Sequence, residues 1–211
     1  DFRTQRTLAD EARSGPPARG KPPIRHIDMK AIRIILDEHR AITAVIEGLR
    51  HIVAAIRLDG VAADHALIGA MFHYIETFPE KLHHPKEDDY LFARLRARRP
   101  DAAPLLDRLE REHVVGNERF FELKAKWEAF RADPKALDAF ADGVERYAHF
   151  HWKHMRTEND DVLPLAAESL TKEDWEAIDA AFASNEDPIV GVSASKAFRE
   201  LFRRIVAIAP P

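Results

Sequence analysis

The chain contains no cysteine. That absence excludes disulfides, thiolate metal sites, iron–sulfur clusters and cysteine nucleophiles together. Glycine is scarce, 8 in 211 residues, beside long stretches rich in Ala, Leu, Glu and Arg, which argues for helices and against a strand-and-turn fold. A basic excess is missing too: 32 Lys and Arg against 36 Asp and Glu give a net charge of −4, so no nucleic-acid partner is expected. No apolar run approaches the roughly 18 residues of a membrane span, and the N-terminus lacks the apolar core of a signal peptide. A cytoplasmic protein with no membrane partner is the expectation. Neither a Gly-rich phosphate loop nor a G-x-S-x-G nucleophile motif occurs. What the sequence does have is 11 histidines, and their placement carries the information.

Residues 1–28 combine Pro16, Pro17, Pro22 and Pro23 with Gly15 and Gly20 and lack sustained periodicity. Their basic residues outnumber the acidic ones, so the segment reads as a Pro/Arg-rich extended arm. From about 30 to 58, Ile32, Ile35, His39, Ile42, Ile46, Leu49, Val53 and Ile56 follow alternating steps of three and four, the period of a bundle seam ended by Asp59-Gly60. A second helical stretch, about 64–98, contains Pro79 and Pro85, which predict kinks or breaks. The third, about 103–131, repeats the seam through Leu106, Leu109, His113, Gly116, Phe120, Leu123, Trp127 and Phe130. Asp133-Pro134 starts the fourth, about 135–168, whose seam reads Leu137, Phe140, Val144, Tyr147, His151, His154, Glu158, Asp161 and Leu165. Arg94, Arg96, Arg98 and Arg99 read as a solvated helix end favoured by the dipole.

The expected fold is all-α: an antiparallel up-down-up-down four-helix bundle over residues 29–168 with two shorter C-terminal helices in an extension, residues 169–211. Thr171 caps the first of these, and Phe198, Leu201, Ile205 and Ile208 stripe the second. That stripe either covers the bundle or forms a homodimer with a second copy.

Polar residues inside apolar seams are the anomaly. His39, His113, His154 and Glu158 occupy core positions, where an unpaired imidazole or carboxylate costs several kcal/mol, on the order of a lost buried hydrogen bond or more. The pattern also repeats. His39 precedes His83 by 44 positions with Glu87 at i+4, and His113 precedes His154 by 41 with Glu158 at i+4. The flanks echo as well, Glu38-His39 against Glu112-His113 and Glu87-Asp88-Asp89 against Glu158-Asn159-Asp160. Residues four apart share a helix face, so two such halves bring four His and two Glu together mid-bundle. Six N/O donors with two central carboxylates suit a carboxylate-bridged pair of ions better than one tetrahedral zinc.

These motifs, Leu36-Asp37-Glu38-His39, His83-His84-Pro85-Lys86-Glu87-Asp88, Glu112-His113 and His154-Met155-Arg156-Thr157-Glu158, resemble the hemerythrin-like (HHE cation-binding) domains over about residues 30–168. Phe150-His151-Trp152-Lys153-His154 and the Asp174-Trp175 helix look like a bacterial branch of that family. The resemblance implies two non-haem iron ions, carboxylate- and oxo- or hydroxo-bridged, held by His39, His83, Glu87, His113, His154 and Glu158. Its implied partners are a small diatomic ligand (O2 or NO) or peroxide, bound or reacted with in sensing or detoxification. An enzyme, either a di-iron peroxidase or an NO-reacting factor that repairs iron centres, is one alternative; a structural bundle with zinc or no metal is the other. One departure stands out. Oxygen carriers of the family have a second His at i+4 on the third helix, where this chain has Asn117. His84 is the substitute the family suggests, since some relatives bind metal through the residue after the second-helix His. It sits about 100° round the helix from His83, so a distortion near Pro85 must turn both inward. His151 is expected to act behind the ligands or on an access route, whereas His51, His73 and His149 are expected to be solvated. His26 and His65 have no visible partner.

Overall fold

The computed structural model describes residues 29–184 together with Arg203 and Arg204. The expected arm and most of the last helical stripe, with the dimer it suggested, lie outside the described residues. Within them the chain is helical, with no strand.

Helix α1 (Lys30–Asp59) carries the first seam and ends at Gly60, whose φ of 69° closes the helix through its N–H to Ala55. Helix α2 (His65–Thr77) starts at Asp64, which accepts a hydrogen bond from the Leu67 N–H. Beyond Phe78 the chain neither breaks nor stays regular. It passes through a π-helical turn (Pro79–His83), the short α3 (His84–Lys86), a second π-helical segment (Glu87–Phe92) and α4 (Ala93–Arg98). Helix α5 (Ala103–Ala132) returns along the bundle. After the Asp133 cap and a 3-10 turn, α6 (Leu137–Thr157), a third π-helical turn (Glu158–Val162) and α7 (Leu163–Ser169) complete the four-helix set. Helix α1 packs against α2 and α6, and α5 against α6 and α2, which closes the square.

The third π turn corrects the seam read from the sequence. The regular period assigned Asp161 to the core, but the extra residue in the turn shifts the phase: Asp161 is exposed and Val162 is buried in its place.

Helix α8 (Lys172–Ala183) starts at a capping box formed by Thr171 and Asp174. It lies across one end of the bundle, against α1. Trp175, Ile178 and Phe182 join Ile35, Leu91, Phe92, Leu106 and Leu163 in one apolar cluster. Full burial of side chains such as Ile178 and Phe182 stabilises by about 1.5–3 kcal/mol each. Polar contacts hold α8 in place: Asp179 accepts from the backbone N–H of Ala31 at 2.7 Å, and Lys86 donates to the Ala181 carbonyl at 2.9 Å. Arg98 pairs with Asp174 at 2.8 Å, and Arg96 with Asp107 and Glu110 at 2.8 and 2.9 Å, so two of the four arginines tie α4 to α8 and α5.

The core is divided in two. A larger apolar cluster (Ile42 to Ile56, Leu67 to Phe78, Phe120 to Phe130, Phe140 to Tyr147) fills the other half. Between the clusters lies a layer of buried polar residues: Glu38, His39, His83, His84, Glu87, His113, His151, His154 and Glu158.

Candidate metal centre

Helix α1 supplies His39, the distorted second helix His83, His84 and Glu87, α5 His113, and α6 with its π turn His154 and Glu158. All seven are buried. Glu87 lies between two sets of imidazoles: its Oε1 is 3.6 Å from His39 Nε2 and 3.5 Å from His83 Nε2, and its Oε2 is 3.6 Å from His113 Nε2. Glu158 does the same from the opposite side. Its Oε2 is 3.4 Å from His39 Nε2, and its Oε1 is 3.5 Å from His113 Nε2 and 3.1 Å from His154 Nε2. Each carboxylate thus offers one oxygen to His39 and its side and the other to His113 and its side.

The spacing fits ions. Two donors about 2.1 Å from one first-row ion, at angles between a right angle and the tetrahedral one, stand about 3.0–3.4 Å apart. The donor atoms of His39, His83 and Glu87, those of His84, His113 and His154, and those of Glu87, His113 and Glu158 lie within 4.8 Å of one another in each group. Both oxygens of Glu87 and of Glu158, and Nε2 of His113 and His154, are buried without a hydrogen-bond partner. Orphaned polar atoms of this kind are expensive unless something binds them, and a cation does.

The other face of each ring is held as well. His83 Nδ1 donates to Glu38 at 2.8 Å and His154 Nδ1 to Glu112 at 3.0 Å. His113 Nδ1 donates to Asp88 at 2.8 Å and His39 Nδ1 to the Asn159 amide oxygen at 2.8 Å. These four bonds fix the tautomer that directs Nε2 to the middle. Sequence reasoning registered Glu38, Glu112, Asp88 and Asn159 as echoing flanks without assigning them this task; the signal was that each neighbours a seam His or Glu in both halves.

Charge follows the geometry. Burial pushes the Glu87 carboxyl well above its usual range, and Glu158 adds to the effect. Burial acts in the same direction on Glu158, but the His154 charge and the close approach of His113 and His154 outweigh it and hold the group well below its usual range. Burial would lower His113 as well, yet Asp88 and Glu158 bring it up to about 9. His154 is raised against burial to about 10 by Glu158 and Glu112. His39 and His83 are lowered, chiefly by burial, and burial with the neighbouring His113 takes His84 down to about 4. The carboxylates therefore draw positive charge into a layer that solvent does not reach.

His84 is turned inward beside His83. Its ring stacks on His113 with centroids 4.4 Å apart and faces His151 at 6.3 Å. The wide π turns on either side of α3 make this possible, since adjacent residues in a π turn are less far apart in angle than in an α-helix. His151 is buried behind His84, against Tyr147 at 4.2 Å, with Nε2 lacking a partner. His51, His73 and His149 are exposed, while His65 is half-buried against Phe130. Asn117 is exposed and does not face the layer. Its inward neighbour is Gly116, where a Cβ would approach His151 Cε1 to 3.4 Å.

Among the described residues no helix is long and apolar enough to cross a membrane. No curated protein and no solved structure shows a significant match to the chain. A family model does: the Hemerythrin HHE cation binding domain matches residues 30–166, the stretch that contains every donor described above, and the chain belongs to that family.

Proposed function

We propose that the protein is a non-haem di-iron protein that binds or reacts with O2, NO or peroxide. The observation that supports it is the split of Glu87 and Glu158, each offering one oxygen to the His39–His83 side and one to the His113–His154 side. His39 and His83 would hold one ion, His113 and His154 the other, with His84 as a fifth imidazole on the second side. Iron bound there supplies one-electron redox chemistry and an inner-sphere position for a small ligand.

The chain's own contribution is a biased, dry frame. The His113–His154 side has three imidazoles within reach and the His39–His83 side two, so the small ligand is expected on the latter. Apolar clusters on both sides exclude water and keep the carboxylates and imidazoles from being solvated away. Metal analysis of the iron-loaded protein, with its optical spectrum, tests the reading. Two irons per chain with the absorption of a bridged ferric pair are expected; one ion per chain, or zinc alone, overturns it.

A further inference from the structure

Four of the five imidazoles around the centre have an acceptor on Nδ1, and the fifth, His84, faces one that is slightly too far away. Its Nδ1 is buried and has no hydrogen-bond partner, and the nearest acceptor is Glu80 Oε2 at 3.7 Å, one turn back on the same helix. Glu80 is itself out of place. Its side chain is 6% exposed, Oε1 has no partner, and among the described residues no Lys or Arg pairs with it. A buried carboxylate without a cation costs several kcal/mol, on the order of an unpaired buried charge, unless a donor satisfies it. Glu38, whose side chain is also buried, shows what satisfies such a group beside these rings: the Nδ1–H of His83. The π turn Pro79–His83 places Glu80 and His84 at its two ends, with the His84 N–H closing the turn onto Pro79.

We infer that Glu80 is the positioning residue of His84: its carboxylate takes the Nδ1–H and directs Nε2 at the ion shared with His113 and His154. This rests on the two-ion reading above. The role is the one Glu38, Asp88 and Glu112 perform for the other rings. It also gives the second helix, whose His83 and His84 are adjacent, a separate carboxylate for each imidazole.

Cobalt(II) is a suitable probe, because each metal-bound imidazole that retains its Nδ1–H gives one exchangeable, strongly shifted proton resonance. The full chain loaded with cobalt(II) should show five, and His84→Ala four. Glu80→Ala should make one of the five exchange much faster, leave the other four sharp, and weaken one of the two ions about 10- to 100-fold. Glu80→Gln, which keeps shape and a weaker acceptor, should restore part of that protection and covers the case in which the alanine variant does not fold. Four resonances in the unaltered chain, or five with unchanged exchange in both variants, overturn the inference about Glu80. No shifted resonance at all overturns the metal-centre reading itself, and the inference with it.

Discussion

The Glu38 carboxylate accepts a hydrogen bond from His83 Nδ1 at 2.8 Å, although the two residues lie 45 positions apart. Glu112 stands in the same relation to His154, 42 positions on, at 3.0 Å. In each half of the chain the acid beside one candidate ligand orients the ligand of the next helix. The bond ties helix packing to the direction of a donor atom, so small displacements of α1 against the second helix are felt at the centre. Glu38→Ala is therefore expected to weaken one ion about 10- to 100-fold while the second is less affected. Stepwise titration with iron(II) or cobalt(II) would show this as two separated binding events where the unaltered chain shows closely spaced ones.

Glu87 and Glu158, each of which faces both sides of the layer, should behave differently from single imidazoles. Glu87→Ala or Glu158→Ala removes an oxygen from both sides at once, and most of the metal should be lost. His39→Ala removes one donor and should spare more of the ion on the His113–His154 side. His51→Ala and His149→Ala, both at exposed positions, should retain full metal. Equal losses in the exposed controls would show that the centre lies elsewhere.

Much of this is legible in the sequence. The alternation of threes and fours placed α1, α5 and the run from α6 to α7 within a few residues, because bundle seams record burial directly. Asp59-Gly60 and Asp133-Pro134 marked ends of these helices and Thr171 the start of α8, since caps depend on local chemistry. The π turns were not readable: three extra residues in the ladder, at Pro79–His83, Glu87–Phe92 and Glu158–Val162, leave no composition signal beyond two prolines. They shift the phase after Glu158 and bring His84 inward, which regular α geometry does not allow. Glu80 was hidden for a related reason, as it reads like the polar face shared by His73 and Glu76.

Metal loading should release protons. His113 and His154, raised to about 9 and about 10, are charged at neutral pH, and burial shifts Glu87 toward its protonated form. A metal ion needs the deprotonated nitrogen or carboxylate, so it must displace them. His39, His83 and His84 are lowered and already neutral, so they contribute nothing. The sign is then fixed: affinity rises with pH through the neutral range, and at least the two protons of His113 and His154 should leave per pair of ions at pH 7. A pH-stat titration in weak buffer measures the number. Loading without proton release is the result that contradicts this charge arrangement.

Stripping the metal should also loosen the fold. The polar layer separates two apolar clusters, so repulsion within it acts across the whole bundle. Binding to the native state alone stabilises by RT ln(1 + [L]/Kd), about 4 kcal/mol at a thousandfold excess over Kd. Loaded protein should melt several degrees above the stripped form by calorimetry. Identical melting curves would remove the energetic case for the site.

The last prediction concerns Asn117, where oxygen carriers of the resembled family have a ligand. From the sequence, a histidine there reads as completing the centre. The structure argues otherwise, because Asn117 is exposed and the inward position of that turn belongs to Gly116. A Cβ at Gly116 would already meet Phe150 Cε1 at 3.3 Å and His151 Cε1 at 3.4 Å, so the space over His113 is occupied from α6. It is occupied from the second helix too, by the His84 ring stacked on His113. An imidazole added at residue 117 would extend into solvent with no route past these rings. Asn117→His should therefore leave metal content, optical spectrum and the number of shifted imidazole protons unchanged. His84→Ala, by contrast, should change all three. If Asn117→His altered the spectrum while His84→Ala did not, the fifth donor would have been placed on the wrong helix.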